Sequence, residues 1–129
     1  MLACGSCRAT SHDLELVVLN GCESLELGKM CHEAGVRVVV CWATKVNDEA
    51  AYLFARGFFG ALDEDGRAPD GHARAFEAGK EAIRGKRRRV PCVDGGVEEL
   101  PYFAIADPRQ ARVLPDGCLA AGIPELLQP

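Results

Sequence analysis

The most reactive groups in the chain are seven cysteines: Cys4, Cys7, Cys22, Cys31, Cys41, Cys92 and Cys118. Cys22 stands out by its setting. It follows the apolar run at residues 14–20 (LELVVLN) and precedes a stretch with helical spacing. A thiol between a strand and the first turn of a helix meets backbone N–H groups that favour the thiolate, the nucleophilic form. The same place also suits a small apolar residue closing a strand end, because cysteine is among the most buried residue types. Position alone leaves both readings open.

Other chemistries fit less well. Cys4 and Cys7 form a C-x2-C pair, the spacing of a zinc knuckle, but a closed site needs two further ligands. No second such pair and no H-x3–5-H pair is present, and Cys31 and His32 are adjacent rather than spaced. A thioredoxin-like use of Cys4 and Cys7 needs a preceding strand, and only three residues come before Cys4. A phosphatase loop needs C-x5-R. Counting from Cys22 reaches Gly28, and counting from Cys31 reaches Arg37 inside a strand pattern. The glycines form neither a P-loop nor a dinucleotide fingerprint. No metal and no cofactor is expected.

Charge and composition narrow the setting. Fifteen basic and nineteen acidic residues give a net charge of −4, which disfavours nucleic acid as a partner. The basic run at residues 84–89 (RGKRRR) reads as a solvated helix end or loop, suited to the negative end of a helix dipole. The longest apolar run, residues 38–43, has six residues, against the ~20 of a membrane helix. No secretory pattern opens the chain, and the cysteine count is odd. Reduced thiols in the cytoplasm, with no membrane contact, are the expectation. At 129 residues, 48% apolar, the chain is long enough for one domain with a core.

The elements that must position Cys22 come from periodicity. Residues 14–20 and 36–42 (VRVVVCW) read as strands. Between them Leu25, Leu27, Met30, Cys31 and Ala34 recur at near-helical spacing, and Gly35 suits the left-handed position after a helix. A strand–helix–strand unit of this length makes the strands parallel. Asn47, Asp48 and Glu49 then signal a helix start, and Ala51, Phe54, Ala55, Phe58 and Leu62 line one face up to Gly66. A second helix begins at Pro69 and Asp70, with Ala75, Phe76, Gly79, Ala82 and Ile83 on one face; its small residues suggest close packing on the sheet or the preceding helix. Residues 102–106 (YFAIA) are a further strand candidate before the turn signal Asp107-Pro108, and residues 111–114 are a possible pairing partner. Three regions follow: a tail or edge segment at 1–12, an α/β core at 13–84 and a loop-rich extension at 85–129. In parallel sheets ligands sit beyond the carboxyl ends of the strands. Residues 20–24 (NGCES) and 41–44 (CWAT) occupy that rim and face each other if the strands are neighbours.

The segment LVVLNGCES resembles the nucleophile strand of the caspase-like peptidases, specifically the CHAT-domain branch. The likeness continues through EAGVRVVVCWATKVNDEAAYLFARGFFGAL and AFEAGKEAI, and covers about residues 13–84. It implies a caspase-like three-layer α/β/α fold, here partial, with parallel strands at about 14–20 and 36–42 and helices on the sheet faces. It puts Cys22 at the nucleophile position and Ser24 at the small polar position after it. Asn20 falls where the related metacaspases carry an Asp that pairs with a basic P1 side chain; the neutral amide here removes that charge pairing. With Trp42 and Thr44 across the rim, Asn20 and Ser24 are the candidate substrate pocket for a peptide or protein.

The resemblance also implies a catalytic His, usually followed by Gly, at the end of the preceding strand. That base takes the thiol proton and protonates the leaving amine. Twenty-one residues precede Cys22, fewer than the elements that come first in the family, and no His here is followed by Gly. His12 lies ten residues before Cys22. Along an extended strand that separation is on the order of 20 Å or more. His32 falls late in the first helix, and His72 reads as solvent-exposed in a later one. Two readings therefore remain. One is a caspase-like fragment related to cysteine endopeptidases, inactive alone because its base lies elsewhere. The other is a non-catalytic interaction module that self-associates through an exposed sheet edge. The segment at residues 1–10 is a second candidate to cover that edge.

Overall fold

The computed structural model describes residues 14–65, 68–104 and 119–129. In chain order the elements are β1 (Leu16–Val18), α1 (Leu25–Glu33), β2 (Val38–Trp42), α2 (Asp48–Asp65), α3 (Gly71–Arg84), β3 (Arg87–Pro91), β4 (Val97–Pro101), β5 (Phe103–Ala104), β6 (Leu119–Ala120) and β7 (Pro124–Leu127). The chain is mixed α/β and includes parallel strands. It divides into two compact units: residues up to Lys45 with Pro124–Pro129, and Val46–Ile123.

The first unit is built on β2. β1 pairs parallel to it, with Leu16 opposite Val38 and Val18 opposite Val40. The strand–helix–strand reading therefore holds, although β1 is shorter than the expected 14–20. β7 pairs antiparallel on the other edge, with Val39 opposite Leu127 and Trp42 opposite Pro124. Strand neighbours on both sides, with α1 on a face, leave Val39, Val40, Cys41 and Trp42 with 0% exposure. A strand buried on both faces is apolar throughout rather than alternating, as VVVCW is. β7 was not anticipated as a sheet member. It has four residues and opens on proline, which is tolerated at the first position of a strand but carries no strand signal. Helix α1 ends as the sequence suggests. Gly35 has φ +112°, its N–H donates to His32 O, and the Val36 N–H donates to Cys31 O, the paired bonds of a Schellman closure.

The second unit rests on a helix pair. Asn47 Oδ1 accepts from the N–H groups of Glu49 (2.9 Å) and Ala50 (3.3 Å) and so caps α2. Phe54 and Phe58 of α2 and Phe76 and Ile83 of α3 are buried. The rings of Phe54 and Phe76 meet edge to face at 5.7 Å. The small residues of α3 pack closely on the preceding helix, one of the two partners expected: a Cβ on Gly57 would lie 2.7 Å from Ala78 O, and one on Gly79 would lie 2.7 Å from the Phe54 ring.

The basic run is corrected in part. Arg84 does close α3, but Arg87–Pro91 forms β3 and pairs antiparallel with β4. Arg89 stands opposite Glu99, and such cross-strand opposite charges stabilise a ladder. The loop between these strands turns at Gly95, φ +88°. In the strand candidate at 102–106, Phe103–Ala104 pairs parallel with Leu119–Ala120. Residues 105–118, including Asp107-Pro108, the candidate partner 111–114 and Cys118, lie outside the described residues. So do residues 1–13, with Cys4, Cys7 and His12. Among the described residues no helix is long and apolar enough to cross a membrane.

Candidate functional site

The site grows from the parallel pairing of β1 and β2. The ladder runs one residue beyond β1, where the Leu19 N–H donates to Val40 O at 2.7 Å. From there both chains leave at the carboxyl rim of the sheet, as expected, and side chains tie them together.

Three bonds fix the turn that carries Cys22. The indole Nε1–H of Trp42 donates to Asn20 Oδ1 at 2.8 Å. An indole N–H can only donate, so the amide oxygen of Asn20 must face it. The Trp42 backbone N–H donates to Ser24 Oγ at 3.0 Å. The Glu23 N–H donates to Thr44 O at 2.9 Å. Ser24 Oγ also lies 3.0 Å from Leu19 O and 2.9 Å from Gly21 O, and its single proton serves these carbonyls. All four pocket candidates are thus brought together: Asn20, Ser24 and Trp42 through side chains, Thr44 through its backbone. The Thr44 hydroxyl donates instead to Lys45 O at 3.0 Å.

Cys22 is an exposed residue on this turn. The helix begins at Leu25 with Ser24 as N-cap, so Cys22 lies two residues before the cap, between β1 and the first turn of α1. Ser24 makes no capping bond, because its hydroxyl is taken by the turn and by Trp42. Glu23 has φ +50°. A non-glycine residue there costs roughly 1–3 kcal/mol and persists where neighbouring bonds over-determine it. Here the bond to Thr44 O and the anchoring of Ser24 do so. The sequence carries no sign of this, since a left-handed residue is ordinarily marked by glycine or asparagine.

Among the described residues of the first unit the one imidazole is His32, and its Nδ1 donates to Val36 O at 3.0 Å, part of the closure of α1. It lies near the far end of a helix of nine residues; end to end, that is about 13 Å. His72 lies in the first turn of α3 in the second unit and is half-buried rather than exposed. His12 lies outside the described residues. Among the described residues no three His, Cys, Asp or Glu side chains gather as metal ligands.

The remaining described cysteines differ from Cys22. Cys31 and Cys92 are half-buried and Cys41 is buried. Burial first, then the charges of Glu125 and Cys31, push the Cys41 thiol from the ordinary 9.0 up to about 11, with Lys29 opposing. No family model, curated protein or solved structure matches the chain.

Proposed function

We propose that the chain is a caspase-like module of the CHAT type, the nucleophile-bearing part of a three-layer α/β/α domain descended from cysteine endopeptidases. In this reading Cys22 is the nucleophile position. Asn20, Ser24, Trp42 and Thr44 form the wall that receives a peptide or protein substrate in the cytoplasm. The base is supplied from outside this chain, so the chain alone binds a substrate without cleaving it. One observation carries the reading: an exposed cysteine on a turn braced to the neighbouring strand at the carboxyl rim of a parallel pair. A structural cysteine needs neither the exposure nor the bracing.

Alkylation tests this reading. Native protein is treated with iodoacetamide at neutral pH and each cysteine is followed by mass spectrometry. Cys22 should react faster than Cys31 and Cys41, and faster than Cys22 in the urea-unfolded chain. Exposure alone gives the first result but not the second, because an unfolded thiol is already accessible. A native rate at or below the unfolded rate would sink the peptidase reading.

A second reading is favoured by the outer edge of β1, which pairs with no strand among the described residues. That edge carries Leu16, Val17 and Val18, with no Lys or Pro to block pairing. As an interaction module the chain would self-associate there. Light scattering decides: a dimer in which Cys22→Ser changes nothing favours the module, and a monomer at all concentrations rules it out.

A further inference from the structure

Two cysteines of the first unit lie on elements that pack together, Cys31 on α1 and Cys41 on β2. Cys41 is fully buried in β2, and its side chain points at Gly28 of α1. A Cβ built on Gly28 would lie 2.8 Å from Cys41 Sγ and 3.1 Å from Cys41 Cβ. The missing side chain is therefore what lets the helix lie against this cysteine. Cys31 stands three residues further along α1, on the same face as Gly28. Helical side chains lean toward the helix N-terminus and cover the preceding turn. That lean carries the Cys31 thiol back over Gly28, toward Cys41. The electrostatics agree, since Cys31 is one of the groups whose charge acts on Cys41, beside Glu125 and Lys29.

We propose that Cys31 and Cys41 form a reversible disulfide that staples α1 to β2 when the protein meets an oxidised small-molecule disulfide such as glutathione disulfide. The half-buried Cys31 reacts first. Its thiolate attacks one sulfur of the oxidant, a mixed disulfide forms, and one small thiolate leaves and takes up a proton. Cys41 then loses its proton and attacks the Cys31 sulfur, and the second small thiol leaves. Two protein thiols are oxidised and one small disulfide is reduced to two thiols. The second step is the slow one, because Cys41 is buried and holds its proton up to about pH 11. The staple ties α1, which starts directly after the Cys22 turn, to the strand that braces that turn. This inference does not depend on the peptidase reading.

The test is disulfide mapping on the full chain. Protein is incubated with glutathione disulfide, remaining thiols are blocked, and peptides are identified by mass spectrometry without reduction. The expected product is a linked Cys31–Cys41 peptide that survives in Cys22→Ser, disappears in Cys31→Ser and is reversed by excess reduced glutathione. Lasting glutathione on Cys31 without linkage would overturn the proposal. So would pairing of Cys31 or Cys41 with any other cysteine, or no loss of either thiol. The wild-type map alone distinguishes these outcomes, so a variant that fails to fold does not blunt the test.

Discussion

The α2–α3 pair and the turn before α1 are held by opposite means. Between the two helices the contacts are ring against ring and ring against glycine: Phe54, stacked on Phe58 within α2, meets Phe76 of α3, Gly79 lies under Phe54, and Gly57 lies against the α3 backbone. Nothing polar is needed and no chemistry is offered. In the turn, short bonds from Asn20, Glu23 and Ser24 to the end of β2 and the residues after it fix five residues that bury little surface. Apolar packing gives most of its free energy wherever shapes fit, so it suits a core. Directed bonds give less, but they fix where one group points, and a candidate nucleophile needs that.

This contrast predicts a large loss in the helix pair. Phe54→Ala removes a fully buried ring that two others and a glycine lean on. Leaving such a cavity costs about 3–5 kcal/mol. Urea unfolding should show a loss of unfolding free energy of that size, seen as a lower midpoint at unchanged slope. A loss under about 1 kcal/mol would mean that the helices collapse into the space and that the ring contacts do not hold the pair.

The same contrast governs what could be read in advance. The helices of the second unit are legible because Phe54, Phe58, Ala75, Phe76 and Ile83 recur at helical spacing. The run at β2 is legible because it is uniformly apolar, and the parallel pairing because of the length between the strands. Gly35 announces the end of α1. β7 stays hidden because Pro124 opens a strand too short for a period to show. The β3–β4 hairpin stays hidden because arginines on successive positions mask the alternation of a strand. At the site, the rim itself is legible from topology, and so is the meeting of Asn20, Ser24, Trp42 and Thr44 on it. The bonds among them are not: that Trp42 takes Asn20 by its indole, or that Ser24 gives up its capping role, depends on side-chain geometry that no spacing encodes. The left-handed Glu23 lacks the glycine that would mark it.

A pH series sharpens the comparison within the first unit. Cys41 belongs to the apolar seam, and its thiol is held at about 11 against an ordinary 9.0. The folded state therefore keeps a proton that the unfolded chain releases. Its stabilising contribution is whole below pH 9 and is lost as pH rises through about 11. The difference between those values corresponds to roughly 3 kcal/mol. Denaturation at successive pH values should show wild type losing stability across this window relative to Cys41→Val, which cannot ionise there. Parallel curves for the two proteins would show that Cys41 is solvated in the folded state and that the seam is not dry.

The smallest effect concerns the turn, and it separates stability from placement. Ser24→Ala removes the oxygen that accepts from the Trp42 N–H at 3.0 Å. Trp42 is buried, so the lost acceptor costs about 1–2 kcal/mol, well below the loss expected at Phe54. The thiol should respond more than the fold does. With Ser24 no longer tying the turn to β2, the conformation that holds Cys22 gives way to others, and its alkylation rate moves toward that of the unfolded chain. Ser24→Thr keeps the hydroxyl and should restore the native rate. If Ser24→Ala lowers stability while the Cys22 rate stays native, the bracing serves the sheet rather than the thiol. The helix pair and the turn would then differ in material but not in purpose.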